Sequence, residues 1–283
     1  MTERVDIAGT DSAPEQGYVP TPEDIDAFHR DGVVCLRGAL SPEWIATIER
    51  AIDAVLIDPG TGAKYADAAQ RGFFQDSNNW RRIPALSDFV WRSPASRIAS
   101  ALLGSRKINF LQDHILVKEP NTDKPTLWHQ DQPYSPIDGP DFLTMWIAVD
   151  SVPLDRSLRF VRGSHAPGVW YRPRHFATGA LRDGDDPRWV PTPDIDGDPE
   201  AFPVISWPVE PGDIVVFQGL TLHGASGNNS ASARRRVLSA RWTGDDARFV
   251  RRAGPMSPPP PEADAPMDGA AVDCPAFPVV LGH

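Results

Sequence analysis

Trp128-His129-Gln130-Asp131 is the stretch on which the reading of this 283-residue chain turns. Residues two apart on a β-strand project to the same face, so His129 and Asp131 can reach one ion. A third donor, His223, comes far along the chain. It ends the strand-like run Asp213-Ile214-Val215-Val216-Phe217-Gln218-Gly219-Leu220-Thr221-Leu222. In a closed or double-sheeted β fold such a distant strand can lie beside the first. Two imidazoles and one carboxylate form the pattern of a facial triad, which holds a non-haem iron(II) and leaves positions open for a cosubstrate and dioxygen. Zinc accepts the same three donors with an open fourth position.

Outward from this stretch the pattern is one of strands. Lys107–Lys118, Phe142–Val149, Leu158–Val161, Val204–Trp207, Ile214–Phe217 and Arg235–Trp242 are apolar or alternating runs, separated by clusters of Pro, Gly, Asn and Asp. Upstream, the signals are helical. Thr21-Pro22-Glu23-Asp24 combines a capping hydroxyl, a first-turn proline and acids where the helix dipole favours them. That helix runs to about Arg30, stops at Asp31-Gly32, and is followed by a buried strand over Val33-Val34-Cys35-Leu36. Ser41-Pro42-Glu43 starts a second helix with an apolar stripe of Trp44, Ile48, Ile52 and Leu56, stopped by Asp58-Pro59-Gly60. Residues 60–93 read as irregular, and a short helix follows from Pro94 to Leu103.

Helices first and short strands after predict a mainly β domain with a helical layer outside it. The expected division is a flexible lead-in over residues 1–20, one domain over 21–253, and an extended Pro-rich tail over 254–283 laid on the surface. Proline supplies 30 of the 283 residues, about twice the usual ~5%, which disfavours many long helices.

The net charge of −10 disfavours general binding to nucleic acid or to an anionic membrane. Two cysteines, Cys35 and Cys274, without a Cys-x-x-Cys argue against a disulfide scaffold or a thiolate zinc site. No apolar run approaches a membrane span, and the N-terminus has no signal-peptide core. A soluble cytoplasmic protein acting on a small molecule is the expectation.

Arg234-Arg235-Arg236 opens the strand that follows His223. A guanidinium pointing inward beside a metal would grip a carboxylate with two parallel hydrogen bonds. By alternation, either Arg235 faces inward with Val237, Ser239 and Arg241, or Arg234 and Arg236 do.

These motifs together resemble the phytanoyl-CoA dioxygenase family. The likeness is carried by His129-Gln130-Asp131, Met145-Trp146-Ile147-Ala148-Val149-Asp150, Leu158-Arg159-Phe160-Val161-Arg162-Gly163-Ser164-His165, and His223 with Asn228, Ser230 and the Arg run. The helical opening from Thr21 to Leu56 is similar too, so the resemblance covers about residues 20–245. It implies a double-stranded β-helix (jelly roll) and an oxygenase dependent on iron(II), 2-oxoglutarate and O2.

Residue by residue, the resemblance makes His129, Asp131 and His223 the iron ligands. The family's 2-oxoglutarate arginine is followed by short residues two and four positions on. Val237 and Ser239 meet that pattern for Arg235, whereas counting forward from His223 selects Arg234; strand alternation constrains more tightly than loop length and favours Arg235. Gln112 and Lys118 resemble positions near the cosubstrate, Trp146 a pocket aromatic, and Arg241 a further anion or substrate contact. The turn Leu154-Asp155-Arg156-Ser157 departs from the family's usual acidic-Asn-Gly-Cys. Asp131 stands where halogenating relatives have Ala or Gly, which favours hydroxylation. Residues 168–203, with Trp170, Tyr171, Arg172, Arg174, His175, Arg182, Arg188 and Trp189, are either a substrate-selecting segment or a solvated loop neutralised by Asp183, Asp185 and Asp186. A zinc hydrolase and a non-catalytic ligand-binding jelly roll compete with the oxygenase; the arginine clamp is unexplained by the first, and the intact triad argues against the second.

Overall fold

The computed structural model of the chain describes residues 14–65, 72–175, 178–184, 186–261 and 263–282. The lead-in expected over residues 1–20 lies outside the described residues as far as residue 13.

Two sheets carry the domain. The larger runs in the order Val33–Leu36 (β1), Ile214–Gln218 (β12), Phe142–Ala148 (β7), Arg235–Thr243 (β14), Ile108–Lys118 (β4), Phe73–Ser77 (β3) and Lys64–Tyr65 (β2), with Val279–Leu281 (β16) also on β4. The smaller runs Val204–Ile205 (β11), Leu158–Val161 (β8), His223–Ala225 (β13) and Thr126–His129 (β5). Two short ribbons pair Trp189–Val190 (β10) with Trp170–Tyr171 (β9), and Arg248–Phe249 (β15) with Ile137–Asp138 (β6). The larger sheet packs over the smaller as a jelly roll.

Alternation sorts the side chains of the larger sheet into two cores. Leu143, Met145 and Ile147 of β7, with Leu238, Ala240 and Trp242 of β14, face the helices. Trp146 and Ala148, with Val237, face inward and meet Leu158, Phe160, Val215, Phe217 and Ala225 between the sheets. Two apolar faces on one sheet require a covering layer, and the helices Pro22–Asp31 (α1), Pro42–Ile57 (α2), Pro84–Arg92 (α3) and Ala95–Leu103 (α4) supply it.

The helix signals act as expected at α1. Thr21 accepts from the Asp24 N–H while the Asp24 carboxylate accepts from the Thr21 N–H, and Gly32 ends the helix at φ 76°. On α2 the stripe is displaced: Ile45, Ile48, Ala51, Ile52 and Val55 are buried, whereas Trp44 and Leu56 are only partly covered. The described residues of the segment 60–93 are more regular than expected. Strand β3 pairs with β4, Phe73 opposite Lys118 to Ser77 opposite His114, and α3 begins at Pro84. The chain after Gly254 returns to the domain, where Val272 and Phe277 are buried and β16 joins β4. No helix among the described residues is long and apolar enough to cross a membrane.

Candidate metal centre

Strands β5 and β13 are neighbours, and His223 is the register partner of His129. The segment separating them in sequence is taken up by the other strands, so the distant donor arrives by pairing. Asp131 follows the end of β5 as the chain turns into a short 3-10 helix at Gln132. One ligand atom from each of the three residues lies within 4.8 Å of the others, and all three residues are buried. The intervening Gln130 points the other way. Its amide donates to the Val169 and Leu220 carbonyls and its oxygen accepts from the Tyr171 N–H, tying three segments to the ligand loop.

Second contacts orient the donors. His129 Nδ1 donates to the Leu127 carbonyl at 2.7 Å and His223 Nδ1 to the Thr221 carbonyl at 3.0 Å. Each imidazole therefore keeps the Nε2 lone pair for an ion. Burial, reinforced by the neighbouring His129, pushes His223 down to about 3, which keeps it neutral. Burial would raise the Asp131 carboxyl, but the Arg241 charge and the two imidazoles outweigh it and hold the group well below the carboxylate range. Thr144 donates to Asp131 Oδ2 at 2.7 Å, and Arg241 grips both oxygens. Two imidazoles and one ionised carboxylate, each held by a further hydrogen bond, fit iron(II).

Two chambers meet at this triad. The inner one lies between the sheets, lined by Trp146, Leu158, Phe217, Val237 and Ser239, with the triad at one end and Arg235 among its walls. The outer one, a cleft of about 710 Å³, is walled by the loop around Gly60, by Asn78 and Asn79, by Arg174, His175 and Arg182, and by Pro255, Met256, Ser257 and Pro259. His114, Gln75, Asp131 and Arg241 border both.

The arginine run divides by alternation. Arg235 is buried on the inner face, its guanidinium donating to the Arg156 carbonyl, and has no ion-pair partner among the described residues. Burial and the nearby Arg156 lower it to about 10. Arg234 pairs with Glu119 at the surface, and Arg236 turns outward to Asp150, Glu49 and Asp53. Asn228 holds the preceding loop by donating to the carbonyls of Lys118, Glu119 and Ala233.

Trp146 and Arg241 line the inner chamber as well. Gln112 and Lys118 lie on the same strand face but are not among the residues lining the chamber. Gln112 accepts from Arg241 at 2.6 Å and donates to Ser257, while Lys118, opposite Arg235 in the sheet, donates to the Ser226 carbonyl. The turn Leu154–Arg156 reaches the chamber through that Arg156 carbonyl. His114 was not expected here. It stands between Gln112 and Leu116 on the inward face of β4, and burial, with Arg241 and Lys64 nearby, pushes it down to about 3. The alternation Gln112, His114, Leu116, Lys118 was the signal available for it.

A model of the family described as phytanoyl-CoA dioxygenase matches residues 28–237, spanning both ligand-bearing strands and Arg235. The chain belongs to the phytanoyl-CoA dioxygenase family. A curated family relative, a "Probable phytanoyl-CoA dioxygenase" of Caenorhabditis elegans, is 27% identical over 184 residues, 60% of this chain; the match spans 55% of that relative's length. Among solved structures, the non-heme alpha ketoglutarate dependent carbocyclase SnoK from nogalamycin biosynthesis matches with a TM-score of 0.71 at 24% identity, over 95% of this chain and 99% of that one. The epimerase SnoN of the same biosynthesis has a TM-score of 0.71 at 20% identity, covering 91% and 95%. EctD from S. alaskensis, solved with 2-oxoglutarate and 5-hydroxyectoine, has a TM-score of 0.66 at 17% identity, covering 93% and 87%. These likenesses establish the jelly-roll fold that this family member shares with them.

Proposed function

We propose that this phytanoyl-CoA dioxygenase family member is an iron(II)- and 2-oxoglutarate-dependent oxygenase that hydroxylates a small organic substrate, releasing succinate and CO2. The observation that carries the reading is Arg235. A buried guanidinium without a carboxylate, in a chamber that ends at a His-Asp-His triad, calls for an anion that also reaches the metal. A dicarboxylate with a keto acid at one end meets both needs. The curated relative and the solved neighbours named above support the same chemistry, although those neighbours include an epimerase and a carbocyclase.

His129, Asp131 and His223 would hold the iron, which when bound supplies oxidising power by coupling dioxygen to the decarboxylation of 2-oxoglutarate. The chain's residues do the rest. Arg235 would clamp the far carboxylate; Lys118, opposite it in the sheet, is held well below the usual ammonium range by burial and by the Arg235 charge, so Arg235 carries the charge of the clamp. Trp146, Phe217, Leu158 and Val237 exclude water from the chamber. Arg241 and Thr144 fix the Asp131 carboxylate, and Gln112 in turn holds Arg241. The substrate would enter through the outer cleft, where His114, neutral, borders the reacting end. Retention of Asp131 as a protein ligand favours hydroxylation over halogenation.

The test is iron-dependent formation of succinate from 2-oxoglutarate under air, followed by a substrate screen under ¹⁸O2. A product that carries one ¹⁸O atom supports hydroxylation. A product changed without oxygen gain replaces it with an epimerase- or cyclase-like outcome.

A further inference from the structure

Among the described residues, the outer cleft carries more positive charge than its own acids neutralise. Its acids among the described residues are Asp58, taken by Arg82 at 3.1 Å, and Asp131, taken by Arg241 at 2.8 Å. Lys64, Arg174 and Arg182 line the same cleft and have no ion pair among the described residues. His114 beside them is neutral. A positive pocket in a chain of net charge −10 is a local arrangement rather than a consequence of composition.

Two of these cations line the same cleft, near enough for the Arg182 charge to act on Lys64. Lys64 projects from β2, opposite Gln75 of β3, at the mouth of the cleft. Arg182 comes from the other wall, its guanidinium 5.0 Å from the centre of the Tyr134 ring. Tyr134 in turn stands edge-on to His129, 5.9 Å between ring centres. The Arg182 Nε is buried without a hydrogen-bond partner. Desolvation in the cleft, and then the Arg182 charge, hold the Lys64 ammonium below its ordinary value. Mutual repulsion across an aqueous cleft is relieved when an anion sits between the two groups.

We propose that the substrate carries an anionic group, bound between Lys64 and Arg182 at the outer end of the cleft, with the bond to be oxidised at the His114 and Asp131 end. This rests on the oxygenase reading of the same site and names its substrate class: a carboxylic acid, or a phosphate or sulfate ester. Of the segment 168–203, Arg182 belongs to the recognition surface, whereas Arg188 is spent on Asp186 and Asp138. A neutral analogue would leave both cations unpaired, so the site discriminates by charge.

Calorimetric titration of sodium sulfate and of sodium acetate into the anaerobic protein loaded with iron(II) and 2-oxoglutarate, at constant ionic strength, tests this. Saturable binding is expected, about tenfold weaker in Lys64→Gln and in Arg182→Gln and unchanged in Arg50→Gln, a charge removed from the exposed side of α2. Tighter binding of sulfate assigns the ester, and tighter binding of acetate the carboxylic acid. Absence of saturable binding, or equal binding in all variants, overturns the proposal. The visible charge-transfer band of the iron and 2-oxoglutarate complex, read in the same samples, separates the two failures. Its persistence without anion binding removes the anion site alone; its absence removes the oxygenase reading, and the proposal with it.

Discussion

Arg241 holds Asp131 as a fork holds a carboxylate: Nη2 lies 2.8 Å from Oδ1 and Nε 3.3 Å from Oδ2. Oδ1 is also the oxygen nearest both imidazoles, 3.7 Å from His129 Nε2 and 3.9 Å from His223 Nε2. The guanidinium thus fixes the rotamer of the one anionic metal donor. Arg241→Met is expected to weaken iron(II) affinity by about 10–100-fold, with Arg241→Lys intermediate because it keeps the charge and loses the fork. Competition with a chromogenic chelator measures this, and unchanged affinity in both variants would show that the fork does not position the ligand.

The three arginines of the run make a graded set. Arg235→Gln should raise the KM for 2-oxoglutarate by about 100-fold, the loss of a buried charge-assisted pair worth roughly 3 kcal/mol. Arg234→Gln should leave KM and stability alone, since its pair with Glu119 is exposed. Arg236→Gln should cost stability, because it gathers three acids that tie β14 to α2 and Asp150, without moving KM. A KM effect at Arg234 in place of Arg235 would reverse the assignment.

That division was legible in the sequence because a strand's period is two, so one inward residue fixes every other one. Helix phase was not. Steps of four residues advance 400°, so a stripe of Trp44, Ile48, Ile52 and Leu56 drifts about 40° per step and its ends leave the buried face. The chain packs α2 with mixed spacing through Ile45, Ile48, Ile52 and Val55. Strand β3 was hidden for another reason. Gln75 and Asp76 are buried polar residues, and Asp76 is satisfied by the Gly60 and Ser77 N–H groups, contacts that no periodicity announces. His-x-Asp and His223 were readable as a set, whereas the outer cleft, assembled from loops and the residues of several strands, became visible only in three dimensions.

Asp113 should leave a mark on the pH dependence of stability. It is fully buried, accepts from the Asn79 and Trp80 N–H groups, and is pushed up to about 6 by burial. An unfolded carboxyl titrates near ~4, so between about pH 4 and 6 the folded state binds the extra proton. Its contribution is therefore present below about pH 4 and is lost as pH rises through 6, by up to about 2–3 kcal/mol. Chemical denaturation of Asp113→Asn should show a stability change across this window that is less negative than that of the parent. Parallel pH profiles for the two proteins would refute the account.

The chain after Gly254 also has a measurable weight. Phe277 is 2% exposed and packs with Val272, Ile137, Phe142 and Phe249. Phe277→Ala is expected to cost about 3–5 kcal/mol in urea denaturation, in one transition with the rest of the domain. A cost near zero would mean that this segment rests on the surface without being part of the core.

The central claim is that His129, Asp131 and His223 form an iron(II) site that accepts 2-oxoglutarate. Anaerobic addition of iron(II) and 2-oxoglutarate to the intact protein should produce a weak visible charge-transfer band, absent from His129→Ala and Asp131→Ala. An intact, folded protein that takes up iron(II) and 2-oxoglutarate without that band, or a band that survives in both variants, would contradict it.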